Sequence, residues 1–91
     1  MGNADLDASA ILSQVKEKDW ELYNLIGCFI SMNGYPPSVR ELAKLLNYGS
    51  SSTVHSRLDR LENFGFITRV TNSPRTISIT GRAEELLRSR G

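Results

Sequence analysis

From Ser50 the chain reads Ser-Ser-Ser-Thr-Val-His-Ser-Arg. Val54, Leu58 and Leu61 recur at helical spacing and define a buried stripe. Ser52, Thr53, His55, Ser56 and Arg57 then fall on the opposite face. Hydroxyls donate and accept hydrogen bonds, an imidazole N–H donates to a guanine or thymine acceptor, and a threonine methyl packs on a thymine methyl. A helix face of such groups suits the reading of base edges in a groove. The same serine triplet offers an N-cap, so one hydroxyl is expected to cap the helix and the others to stay free for contacts. Arg40, Arg57 and Arg60 are candidates for phosphate contacts. For Arg57 and Arg60 the alternative is pairing within the helix, with Asp59 and Glu62 nearby.

No Ser/Lys, Cys/His or metal-ligand constellation is present, and no Gly-rich phosphate loop. Glu41 and Asp59 are isolated carboxylates of the kind any helix carries. The chain is therefore expected not to be an enzyme, to need no cofactor or metal, and to take no small-molecule substrate.

The elements that position the polar face are legible around it. Ser38 and Glu41 form an S-x-x-E capping box, and Pro36 and Pro37 keep the lead-in extended. Val39, Leu42, Ala43 and Leu46 follow at helical spacing. Asn47-Tyr48-Gly49 is a turn, and Gly65 closes the next helix. Two short helices at an angle, the second with a polar face, make a helix-turn-helix. Upstream, Asp19 to Asn33 is an amphipathic helix with Trp20, Tyr23, Ile26 and Ile30 inward, ended by Gly34. Gly27 within it reads as a surface glycine or as a site of close helix approach. Ala8 to Lys18, with a possible Asp7 cap, is a helix of its own or runs into the next, and residues 1–7 are expected to fray. Downstream, Phe66 to Val70 and Arg75 to Thr80 read as two strands around the turn Thr71-Asn72-Ser73-Pro74. In that hairpin Ile67, Ile77 and Ile79 face the helices, and Arg69 and Arg75 flank the loop where a phosphate backbone would pass. Thr80 caps a last helix, Arg82 to Arg88, with Glu84 and Glu85 early and Arg88 and Arg90 late, as the helix dipole favours. The expected fold is mainly α with a small β-hairpin: a winged helix-turn-helix at 19–80, an N-terminal extension at 1–18 and a short C-terminal helix at 81–91.

With 91 residues the chain is one small domain. No apolar run approaches a membrane span, and the acidic N-terminus is no secretory signal. The single cysteine, Cys28, is expected to be a buried or half-buried structural residue in a reducing, cytoplasmic setting. The net charge of +1 hides an asymmetry. Residues 1–33 carry Lys16 and Lys18 against Asp5, Asp7, Glu17, Asp19 and Glu21, a net of −3. Residues 34–80 carry Arg40, Lys44, Arg57, Arg60, Arg69 and Arg75 against Glu41, Asp59 and Glu62, a net of +3. The positive half is a mild footprint for a polyanion.

The run Gly34-Tyr-Pro-Pro-Ser-Val-Arg-Glu41, then Ser-Ser-Ser-Thr-Val-His from Ser50, then Leu58, Leu61-Glu62, Gly65 and Ile67, resembles the DNA-binding domain of the LexA family of SOS-response repressors. The Gram-positive branch is the nearer match, over about residues 19–79. The resemblance implies a winged helix that binds an inverted repeat of GAAC/GTTC type. It places the base-reading positions at Ser50, Ser52, Thr53, His55 and Ser56, and the wing on the backbone. LexA proteins continue into a self-cleaving peptidase domain that also dimerises them, for which 91 residues leave no room. They are also expected to lack an extension like residues 1–18. The expectation is a stand-alone regulator of double-stranded DNA, a repressor from a phage or other mobile element. It would act as a homodimer through apolar residues at its ends, Ile11, Leu12 and Val15, or Leu86 and Leu87; the alternative is that these residues cover the edge of the core. The alternative is a winged-helix interaction module that modulates a host repressor or polymerase through the acidic N-terminus.

Overall fold

The computed structural model of the protein describes residues 8–89; the expected Asp7 cap, the fraying at 1–7 and Arg90 lie outside them. Five helices and two strands follow in the order α1 (Ala8–Leu12), α2 (Glu17–Asn33), α3 (Val39–Leu45), α4 (Ser51–Phe64), β1 (Ile67–Thr68), β2 (Ser78–Ile79) and α5 (Arg82–Ser89). The fold is mainly helical with one small antiparallel sheet, a winged helix with a helix added at each end.

Helix α1 ends at Leu12 and does not run into α2, although no Gly or Pro separates them, and Glu17 and Lys18 belong to α2. The interruption is a cap: the Asp19 carboxylate accepts from the Lys16 backbone N–H at 2.9 Å. Lys16 is held extended, with φ −93° and ψ 164°, and α2 starts two residues earlier than expected. Gly34 ends it with φ 81°, its N–H donating to the Ile30 carbonyl. At Ser38 the capping box is complete: Glu41 N–H donates to Ser38 Oγ at 3.1 Å, and Ser38 N–H donates to Glu41 Oε1 at 2.9 Å.

Leu22, Ile26, Leu42, Val54, Leu58, Leu61 and Phe66 are fully buried and form the centre of the core. Phe66 sits in a cluster of rings, stacked on Trp20 at 5.5 Å and edge-on to Tyr23 at 5.9 Å, with Phe64 at 5.3 Å. The hairpin pairs Ile67 with Ile79 and Thr68 with Ser78. Ile67 and Ile77 are buried against the helices as expected, and Ile79 is half-buried. Its ladder is much shorter than two strands over 66–70 and 75–80. Asn72 and Arg75 have positive φ, and the Thr76 hydroxyl takes the Val70 N–H at 2.9 Å in place of a backbone partner. The wing beyond the ladder is thus a looped turn held by a side chain. Gly27 faces this hairpin: a Cβ there would lie 3.6 Å from Ile79 Cδ1, ordinary contact distance. It is neither a bare surface glycine nor a site of close helix approach.

One expectation about packing needs correction. Cys28 is exposed, because it sits on the face of α2 turned away from Leu22 and Ile26. The apolar residues assigned to a terminal dimer interface are mostly used inside the domain. Helix α1 packs on α5, with Ala8, Ala83 and Leu86 buried and Ile11, Leu12 and Val15 packed on the core. Only Leu87, 40% exposed, is left facing outward. Thr80 does cap α5, accepting from Arg82 N–H at 3.2 Å, and its hydroxyl donates to the Gly65 carbonyl at 2.6 Å. Tyr23 ties α2 to α5 by donating its hydroxyl to Glu84 at 2.6 Å. Burial, and then the Glu84 carboxylate, push that phenol well above its ordinary pKa.

Candidate nucleic-acid interface

Helix α4 buries Val54, Leu58 and Leu61, and this fixes its rotation. Ser51, Ser52, Thr53, His55 and Ser56 are exposed as a consequence, with Ser50 exposed at the N-cap position. The five positions expected to read bases therefore share the open end of one helix. None of the serines uses its hydroxyl as a cap: Ser50 makes no side-chain cap hydrogen bond, and its Oγ only approaches Ser52 Oγ, at 3.5 Å. The expectation that one of them caps the helix is corrected. Ser51, which the helical spacing did not single out, is exposed with the rest.

A cleft opens beside this face. Pro37, Val39 and Arg40 of the α3 entry form one wall, the wing from Arg69 to Ile77 the other, and His55 lies within it. Arg40 is exposed on α3, as is Lys44 one helical turn on. Lys44 was missed by reasoning from sequence; its i, i+4 spacing from Arg40 is the signal that would have found it. Among the described residues neither takes part in an ion pair.

The other arginines are arranged differently from the expectation. Arg60 is neither a free cation nor paired along its own helix. Its Nε and Nη2 hold the fully buried Asp19 at 2.9 and 2.7 Å, Nη2 also donates to the Gln14 carbonyl, and the guanidinium lies over Phe64. Arg57 reaches the same carboxylate only at 3.9 Å, and its side chain keeps a quarter of its surface exposed. Asp59 and Glu62 are taken by Arg69, so Arg69 is bound at the wing root. Arg75 clasps Glu41 with both Nη atoms, at 2.8 and 3.0 Å, donates to the Pro36 carbonyl and lies over the Tyr35 ring. Arg60, Arg69 and Arg75 thus hold elements together. On α3, α4 and the wing the groups left outward for a polyanion are Arg40, Lys44 and part of Arg57.

The Arg75–Glu41 clasp ties the wing to the start of α3 and carries a pH dependence. The Arg75 hydrogen bonds first, then the Ser38 N–H, depress the Glu41 carboxyl from 4.5 to about 2. A depressed carboxylate stabilises the fold above its unfolded pKa, and that contribution disappears as the pH falls through the folded value. In thermal melts the advantage of the wild type over Glu41→Gln should be constant above pH 4.5 and shrink from there toward pH 2. A gap that stays constant across that window would place the clasp outside the folding equilibrium.

The LexA DNA binding domain family matches this chain over residues 13–76. The chain belongs to that family. The LexA repressor of Staphylococcus aureus strain Mu3 is 44% identical to it over 68 residues, covering 75% of this chain and 33% of the relative. That of strain USA300 is 43% identical over the same length and shares. The chain thus spans about a third of the length of the curated relatives it matches. The family begins at residue 13, so the last part of the expected extension, the turn that leads into α2, belongs to the shared domain. A LexA-type DNA-binding domain is no catalytic unit. Among the described residues no group of His, Cys, Asp and Glu could hold a metal, and no helix is long and apolar enough to cross a membrane.

Proposed function

We propose that this domain binds double-stranded DNA sequence-specifically as a transcriptional repressor in the cytoplasm, on a LexA-type operator with GAAC and GTTC half-sites. The observation that carries the reading is the exposed Ser/Thr/His end of α4, with serine hydroxyls not spent on capping the helix, in a member of the LexA DNA-binding family. Ser50, Ser52, Thr53, His55 and Ser56 read base edges, with Ser51 at their side. Arg40, Lys44 and Arg57 meet phosphates, and the wing turn around Asn72 lies along the backbone. Two copies acting on an inverted repeat follow from size, since one small module buries only ~600–1,000 Å² on DNA. Two-fold symmetry doubles the base contacts and sets the half-site spacing.

Fluorescence anisotropy at fixed salt tests this. The inverted-repeat duplex should bind on the order of a hundredfold or more tighter than a scrambled duplex of equal composition. Equal affinities would end the reading. Ser52→Ala with Thr53→Ala should cost about 1–3 kcal/mol on the operator and little on the scrambled duplex. Arg40→Ala with Lys44→Ala should weaken both alike and reduce the salt slope by about one unit for each phosphate no longer neutralised. Sedimentation equilibrium with and without the duplex tests the pair of copies; monomers filling the two half-sites independently would remove it.

A further inference from the structure

We propose that Arg69, at the root of the wing, is a positioning residue for base reading: it holds His55 in the tautomer with the proton on Nε2, and so makes the imidazole a hydrogen-bond donor toward the major groove. The proposal rests on the DNA-reading assignment above.

A guanidinium has five N–H donors, no acceptor and a permanent charge. In Arg69 each of the three nitrogens has a different partner. Nε donates to Glu62 Oε1 at 2.9 Å, Nη2 to the Asp59 carboxylate, and Nη1 lies 3.3 Å from His55 Nδ1. The two carboxylates, one helical turn apart on α4, pin the planar fork and leave Nη1 directed at the imidazole. The Arg69 side chain is only 15% exposed, whereas its partners Asp59 and His55 face solvent. A nitrogen that faces a guanidinium N–H must accept. Nδ1 therefore carries the lone pair, and in the neutral ring the proton sits on Nε2. The opposite tautomer would set an N–H against a cation.

The consequence is chemical selectivity. A fixed donor matches guanine O6 or N7, adenine N7 or thymine O4, and it opposes the N4 amino group that cytosine presents in the major groove. The same fork offsets one of the two negative charges that Asp59 and Glu62 place on the recognition helix, and so reduces their repulsion of the phosphates. One residue of the wing thereby decides what a residue of the helix reads.

His55 is the only histidine of the chain, so its ring nitrogens are assigned without ambiguity in a ¹⁵N spectrum. About two pH units above the ordinary imidazole value of roughly 6.5, the free protein should show a protonated Nε2 and an unprotonated Nδ1. A dominant Nδ1–H form in the wild type overturns the proposal with no variant needed. On DNA, the base pair His55 faces is the one whose preference His55→Ala abolishes in a single-substitution scan. At that pair Arg69→Met should reduce the discrimination between guanine and cytosine about tenfold. Adding His55→Ala should reduce it no further, whereas additive losses would show that the two residues act separately. Arg69→Lys restores the charge but not the three-way fork. It should keep affinity for scrambled DNA and still lose the discrimination, and a lysine variant that discriminates like the wild type also overturns the proposal. If the wild type prefers no duplex, it is the DNA-reading assignment that fails, and the spectrum alone decides the tautomer.

Discussion

Phe66→Ala is expected to lower folding stability by about 3–5 kcal/mol. Phe66 is fully buried where α4 hands over to the wing, and its ring touches Trp20, Tyr23 and Phe64. Two of those rings belong to α2 and one to α4, so truncation opens a cavity between elements that cannot all close on it. A domain of this size has a total stability of roughly 5–10 kcal/mol. The loss would therefore take much of it and leave the variant partly unfolded at physiological temperature. Urea denaturation at low temperature measures it, with Phe66→Leu as the milder control. A loss under about 1 kcal/mol would mean that the surrounding rings refill the space, and that the cluster does not hold α4 in place.

Asp19→Ala should be the next most damaging change, at about 2–3 kcal/mol. Burial by itself would raise this carboxyl. The Arg60 hydrogen bonds, the Lys16 N–H and the Arg60 and Arg57 charges outweigh it and hold the group below 3.8. The alanine loses the cap that starts α2 and the bond that draws α2 onto α4 together. The cost stays below that of stranding a buried ion, because the Arg60 side chain is 36% exposed and can turn to water. By the sign of a depressed carboxylate, the Asp19 contribution is present above pH 3.8 and disappears as the pH falls through its lower folded value. The companion variant Arg60→Gln leaves the carboxylate with the Lys16 N–H and with Arg57, 3.9 Å away, as its one cation. It should lower the melting temperature yet leave the salt slope of DNA binding unchanged, since Arg60 neutralises a carboxylate and not a phosphate. A slope reduced by about one unit in a folded Arg60→Gln variant would return that arginine to the DNA interface.

These two variants also separate what is written locally from what is not. The rotation of α4, and with it the exposure of Ser52, Thr53, His55 and Ser56, was determined by the sequence alone, because Val54, Leu58 and Leu61 can be buried together in only one rotation. The box at Ser38 and the stops at Gly34 and Gly65 were equally legible, since each is satisfied within four residues. The arginines were not. Arg60 meets Asp19 across 41 positions and Arg75 meets Glu41 across 34, and no periodicity relates such pairs. The break before α2 is by contrast a local cap, from the Lys16 N–H to the Asp19 carboxylate three residues on. Along the chain the terminal apolar residues suited either the core's edge or a second copy, and the packing of α1 on α5 puts most of them on the core. Periodicity and caps are short-range, because backbone geometry repeats every few residues, so they can be read along the chain. Which cation neutralises which carboxylate depends on how the elements cross, and a long flexible side chain takes whatever partner the packing brings near; only the tertiary structure decided which arginines hold the fold and which stay exposed.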